Sequence, residues 1–139
     1  MNKSRIAVKS FVINKKGELL LIKRVKDDLH DPGSWEIPGG RIELGEDPFL
    51  GLKRETREET GLEIEILHPL RVHHFTRDDK QKITKITFIC RAKTSKVRLS
   101  EEHDQYIWAD IEKAFSMITP FYRKDLEIYK KYFRSSLSK

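Results

Sequence analysis

The chain has 139 residues, a formal charge of +6, 37% hydrophobic and 36% charged side chains, and a single cysteine. That length supports one hydrophobic core and hardly two, so residues 1–139 are read as a single domain. No apolar run approaches a membrane span, one cysteine excludes an internal disulfide or a Cys-rich zinc site, and the opening MNKSRIAVKSFVI is interrupted by Lys9 and lacks the small-residue cleavage site of a secretory leader; cytoplasm is the expected compartment.

Residues 5–13 and 18–25 read as two strands joined by Asn14-Lys15-Lys16-Gly17, a hairpin signal. The unbroken run Leu19-Leu20-Leu21-Ile22 suits a strand covered on both faces. Residues 26–34 are rich in turn formers, and Trp35-Glu36-Ile37 is a short extended piece that ends at Pro38-Gly39-Gly40. A helix over 48–60 follows, with Asp47 as its N-cap, Pro48 at its first position and Gly61 just past its end. Leu62, Ile64 and Ile66 alternate with polar residues and begin a strand, 82–92 form another, and Tyr106-Ile107-Trp108 a short one. In the 82–92 strand Ile86, Phe88, Cys90 and Ala92 share a face, which makes Cys90 a core residue rather than a reactive one. Asp110 caps a short helix, and Thr119-Pro120 starts a last one whose apolar stripe is Tyr122, Leu126, Tyr129 and Phe133, ahead of a frayed tail SSLSK. Strands mixed with an early helix and late helices point to an α/β layered sandwich.

Charge is unevenly spread. Residues 36–65 hold nine acidic and four basic side chains, whereas every other stretch is net basic. Within that acidic island Glu55, Glu58 and Glu59 share a helix face, because residues three and four apart are neighbours there. Clustered carboxylates repel unless a cation joins them, and oxygen donors without Cys or suitably spaced His suit Mg²⁺, with Mn²⁺ as the alternative. A basic surround fits an anionic substrate held through such a metal; the competing reading is a solvated acidic helix face with i,i+4 ion pairs. Adjacent His73 and His74 on a strand face opposite ways and cannot readily share one metal. Trp35, Trp108, Phe75 and Tyr122 are each open to either core packing or stacking on a base.

The residues from 40 to 62, GRIELGEDPFLGLKRETREETGL, resemble the signature box of the Nudix hydrolase superfamily (MutT-like domain). Gly40, Glu46, Arg54, Glu55, Glu58, Glu59, Gly61 and Leu62 fill eight of its nine constrained positions, and Thr56 stands where an aliphatic residue is usual. Thr56 is expected to pack through its methyl group. The lead-in SWEIPGG and the stretch EEHDQYIWADIEKA are also similar to the family's. The resemblance implies a Nudix-type α/β/α sandwich with a mixed central sheet and the glutamate-rich helix, and hydrolysis by water of the pyrophosphate linkage in a nucleoside diphosphate joined to a group X.

By position, it implies that the carboxylates of Glu55 and Glu59 and the carbonyl of Gly39 hold the metal, with Glu58 a further ligand, direct or through water. Glu46 pairs with Arg54 to brace the box. The base that accepts the proton varies in the family; here it is Glu55, Glu58 or a later acid among Glu101, Glu102 and Asp104, of which Glu102 is favoured because it precedes His103. Arg24 and Arg41 are the candidate phosphate contacts. The marks of NADH-, ADP-ribose- and dinucleoside-polyphosphate-cleaving members are absent, as is a base-reading Asn near the C-terminus. The broad expectation is a nucleoside triphosphate or a nucleotide-sugar-like substrate; an oxidised purine triphosphate stays open, with no residue in its favour. A non-catalytic nucleotide sensor and an RNA-directed enzyme are the alternatives, but the glutamate set is complete and no arginine-glycine run or aromatic RNA motif is present, so a nucleic-acid partner has no residue in its favour. Homodimers are common in the family.

Overall fold

The computed structural model describes residues 4–29 and 31–137. Three of the expectations above touch residues outside that range: the leader region at residues 1–3, the turn-rich loop at residue 30 and the tail at 138–139. Among the described residues seven strands form one mixed sheet: β1 (Arg5–Ile13), β2 (Leu19–Arg24), β3 (Trp35–Glu36), β4 (Gly39–Arg41), β5 (Ile64–Thr76), β6 (Lys82–Ala92) and β7 (His103–Ala109). The main order is β3-β2-β1-β6-β5, with β4 also on β1 and β7 also on β2. β1 and β6 run parallel in unbroken register from Arg5↔Ile83 to Ile13↔Arg91, and the remaining pairs are antiparallel.

Alternating side chains send two cores to opposite faces. Phe11, Leu19, Leu21 and Ile89 pack beneath α2 (Ile111–Met117) and α3 (Arg123–Tyr132) with Ile111, Leu126 and Tyr129. Val8, Val12, Leu20, Ile22, Phe88 and Cys90 pack on the other face with Leu52 of α1 (Pro48–Thr60). The fold is therefore an α/β/α sandwich. Leu19 to Ile22 are all fully buried, as a strand covered on both faces requires, and the Cys90 thiol is sealed in the α1-side core.

Four elements differ from the sequence reading. Gly39–Arg41 is a strand and not the end of one, because it pairs with β1 far away in sequence. The 13-residue β5 runs on through Pro69; β5 is an edge strand, where a missing N–H is tolerated, and its register shifts on either side of the proline. β7 begins at His103 instead of Tyr106. The expected final helix is split into a 3-10 turn at Pro120–Tyr122, then α3, then a single turn, α4 (Arg134–Leu137), where fraying was expected.

One topological detail makes the site. β1 and β2 share only Ile13↔Leu19 and then diverge. Beyond that point β1 takes β4 as its partner, while β2 takes β3 and β7. The split leaves a wedge bordered by Lys9, Arg24, Glu36, Gly39 and His103.

α1 is held at both ends as its caps foretell. The Asp47 carboxylate accepts from the Phe49 and Leu50 amides at 2.8 and 3.2 Å, and Gly61, in the left-handed region at φ 73°, returns its N–H to the Arg57 carbonyl. Asp47→Ala is expected to lower the unfolding free energy by about 1 kcal/mol, read from the urea midpoint at unchanged slope.

Candidate active site

Docking of α1 on β4 starts from Gly39. Its φ is 135°, and a Cβ there would lie 2.1 Å from the Val8 carbonyl oxygen, so only glycine fits against β1. Its N–H donates to Glu59 Oε1 at 2.9 Å, fixing the buried end of the helix to the strand. At Gly40 a Cβ would stand 3.0 Å from the Glu55 carboxylate, so the second glycine leaves room for that side chain. Thr56, buried between these glutamates, bonds hydroxyl to hydroxyl with Ser10 of β1. The departure from an aliphatic residue thus forms a polar tie between helix and sheet, where methyl packing alone was expected.

The glutamates of the box differ in environment. Glu59 is 8% exposed; burial pushes its carboxyl up to about 7, against the lowering effects of Lys9 and the Gly39 amide. Glu55 is raised as well, first by burial and then by Glu58 and Glu102, with Arg54 opposing. Glu58 is exposed, within 3.3 Å of Arg54. Arg54 grips Glu46 with two bonds of 2.8 and 2.9 Å and also reaches Glu55 at 3.2 Å. That fork holds the half-buried Glu46 carboxyl down at about 2 and braces the loop 41–47 against α1.

A fourth carboxylate arrives from the loop before β7. Glu102 is placed there by its carbonyl, which accepts from the Val25 amide, and of Glu101, Glu102 and Asp104 it alone lines the cleft. Glu59, Glu102 and His103 offer ligand atoms that all lie within 4.8 Å of one another. His103 Nε2 is engaged by Glu36 at 2.8 Å, while its buried Nδ1 has no hydrogen-bond partner among the described residues. The cleft has a volume of about 630 Å³ and sets Glu55, Glu58, Glu59 and Glu102 opposite Arg5, Arg24 and Arg41. Such hard oxygen donors, one of them desolvated, fit a hard divalent cation.

Beneath the cleft lies a charge network that sequence reasoning missed. Glu36 is buried and meets Lys9 at 3.3 Å, Arg24 at 2.8 Å, His103 at 2.8 Å and the Tyr122 hydroxyl at 3.3 Å. Burial alone would raise its carboxyl; Lys9, His103 and Arg24 outweigh burial and hold it at about 2. Lys9 also reaches the Gly39 carbonyl at 3.5 Å. The available signal was parity, since Lys9 sits between Ala7 and Phe11 on one face of β1. Arg5, whose buried Nε has no hydrogen-bond partner among the described residues, is a further cleft cation not anticipated. Arg24 lines the cleft but is tied to Glu36 and Asp28, whereas Arg41 is exposed at its mouth. His73 and His74 face opposite ways, His73 against Phe75 and Phe121, His74 bonded to Thr84 on the exposed side.

The comparisons with known proteins agree with this arrangement. The NUDIX domain model matches residues 3–132. The chain belongs to the NUDIX family. It is 31% identical to the nucleoside triphosphatase NudI of Escherichia coli over 111 residues, covering 73% of this chain and 79% of that one. It is 27% identical to Nudix hydrolase 5 of Arabidopsis thaliana over 124 residues, 87% of this chain, and spans only 40% of that protein's length. The crystal structure of a MutT protein from Methanosarcina mazei Go1 superposes with a TM-score of 0.83 at 29% identity, covering 94% of this chain and 95% of that one.

The Glu36 network has a testable signature. A carboxyl depressed when folded contributes stability that is present above its unfolded value of 4.5 and is lost as pH falls through about 2. Glu36→Gln is expected to cost about 3 kcal/mol at pH 7, with the gap from the parent closing between pH 4.5 and 2. Urea unfolding of both proteins across that range checks it; a gap independent of pH would contradict the ion-pair account.

Proposed function

We propose that this NUDIX chain is a divalent-metal-dependent pyrophosphohydrolase acting on a nucleoside diphosphate linked to a group X, and that residues 1–139 work as one domain. The observation that carries the proposal is the convergence of four carboxylates from α1 and the β7 loop opposite three arginines in one cleft. A nucleoside triphosphate is the leading substrate class, supported by the name of the NudI relative.

Glu59, Glu55 and the Gly39 carbonyl would hold the cation, with Glu58 a further ligand, direct or through water. Bound Mg²⁺ would offset phosphate charge and acidify a water at phosphorus. Arg41 and Arg5 line the cleft and would meet phosphate oxygens, and Arg24 joins them only at the expense of its bonds to Glu36 and Asp28. Glu102, exposed beside Glu59, accepts the proton of the attacking water. Water oxygen bonds to phosphorus, the anhydride P–O bond breaks, and its electron pair leaves with the departing phosphate. The retained glutamates speak against a sensor that binds without cleaving.

Phosphate release from nucleoside triphosphates, nucleotide sugars and dinucleotides, with Mg²⁺ or with chelator, is the direct assay. The expected result is turnover of at least one class that stops with chelator and is lost in Glu59→Gln at an unchanged circular-dichroism spectrum. Turnover in excess chelator, or an unimpaired variant, would overturn the proposal. A second check uses no substrate. Because Glu59 is raised to about 7, the folded state takes up a proton between pH 4.5 and 7 and its stability falls as pH rises through that window. A cation relieves that penalty only when the carboxylate is ionised, so Mg²⁺ is expected to raise Tm more at pH 8 than at pH 6.

A further inference from the structure

Behind the carboxylate cleft, and sharing Arg24, Gly39, Gly40 and Arg41 with it, opens a second recess of about 670 Å³. Its lining includes Ala7, Lys9, Ile83 and Lys85 from the sheet and the aromatic residues Phe75, Phe121 and Tyr122. Phe75 and Phe121 meet edge to face at 5.0 Å and Phe121 and Tyr122 at 5.1 Å, so the aromatic wall is fixed in place by its own packing. Phe121 remains 40% exposed, leaving ring surface for a flat ligand to stack upon. A molecule with phosphates among the arginines and a planar ring in this recess would occupy both halves at once.

Lys85 distinguishes the recess chemically. It is 2% exposed, and its one hydrogen bond among the described residues is to Asp125 Oδ2 at 3.3 Å. Its Nζ lies 4.4 Å from the ring centres of both Phe121 and Tyr122. Arg71 pairs with the other oxygen of Asp125 at 3.6 Å, too far for a hydrogen bond, and neither that oxygen nor Arg71 Nη1 has a hydrogen-bond partner among the described residues. Two cations therefore share one carboxylate, and of these three groups Lys85 is the one that lines the recess. Burial draws the Lys85 ammonium down to about 8, which leaves it a donor at neutral pH. Asp31, Glu36 and Asp78 also line the recess, but the Lys85 ammonium offers only donors, so the point it faces welcomes a carbonyl oxygen and rejects an amino group, whose own hydrogens would face it unpaired.

Resting on the pyrophosphohydrolase reading, we propose that Lys85 determines base specificity by donating to a ring carbonyl, so that the preferred substrates are nucleotides of oxo-bases rather than of amino-bases.

The test compares kcat/KM for two pairs that exchange a carbonyl for an amino group on the same ring: inosine against adenosine triphosphate, and uridine against cytidine triphosphate. Binding of inosine and adenosine monophosphate by calorimetry runs alongside, independent of turnover. The parent protein is expected to favour the carbonyl partner by about tenfold in each pair. Lys85→Met combined with Asp125→Asn, which removes the Lys85–Asp125 pair and leaves Arg71 beside a neutral amide, is expected to abolish the preference by lowering only the carbonyl side. Phe121→Ala, a substitution at a partly exposed ring, is expected to weaken both partners and keep their ratio. Turnover of all four triphosphates without discrimination, or a preference that survives loss of Lys85, overturns the Lys85 assignment and leaves the hydrolase reading standing. Absence of turnover with tighter inosine monophosphate binding that vanishes in the double variant does the reverse. Equal monophosphate binding and no turnover overturns both.

Discussion

The site depends on one contact, the burial of the Glu59 carboxylate against the Gly39 amide. A helix normally turns its glutamates to water. Here one of them is driven under the edge of a sheet, where a single backbone N–H and the nearby Lys9 ammonium only partly replace its hydration. The geometry has strict requirements. Gly39 must be glycine because β1 occupies the space of any Cβ, and Gly40 must leave Glu55 its room. Asp47 and Gly61 must end the helix where Glu59 falls on the inward face, and Thr56 must reach Ser10 to keep α1 close to the sheet. A carboxylate desolvated in this way holds its proton more tightly than one in water.

Charge is arranged in layers around that carboxylate. Above it Arg54 gathers Glu46, Glu55 and Glu58, and Glu102 comes in from the loop before β7. Below it Glu36 gathers Lys9, Arg24 and His103. The splitting of β1 from β2 after Ile13↔Leu19 creates the wedge in which both layers fit. Buried ion pairs cost desolvation and seldom add net stability, so the Glu36 network is better understood as holding the backbone of β4 and the base of β7 in register with the cleft.

Legibility in the sequence followed the range of the interactions. The helix over 48–60 was readable to the residue because its caps are local: Asp47, Pro48 and Gly61 act within a turn of where they stand. The box residues were readable because their spacing is itself the pattern, and Cys90 because strand parity alone buries it. β4 was not readable, since Pro38-Gly39-Gly40 has turn chemistry and becomes a strand only when β1 lies alongside. The buried lysines were invisible for the same reason. Lys9 and Lys85 look like surface residues until Glu36 and Asp125 are brought to them from 27 and 40 residues away. The aromatic residues turned on position too: Trp108 lies in a groove away from the clustered carboxylates, while Phe75 and Tyr122 line the recess that adjoins them.

The central claim is that Glu59 anchors a divalent cation between α1 and β4. It is tested most directly by crystals grown with Mn²⁺ and phased at the manganese edge, where the metal is located without reference to turnover. The expected result is an anomalous peak about 2.1 Å from a Glu59 carboxylate oxygen, with Glu55 and the Gly39 carbonyl completing its inner ligands. Manganese bound elsewhere on the chain, with Glu59 still held only by the Gly39 amide, would contradict it.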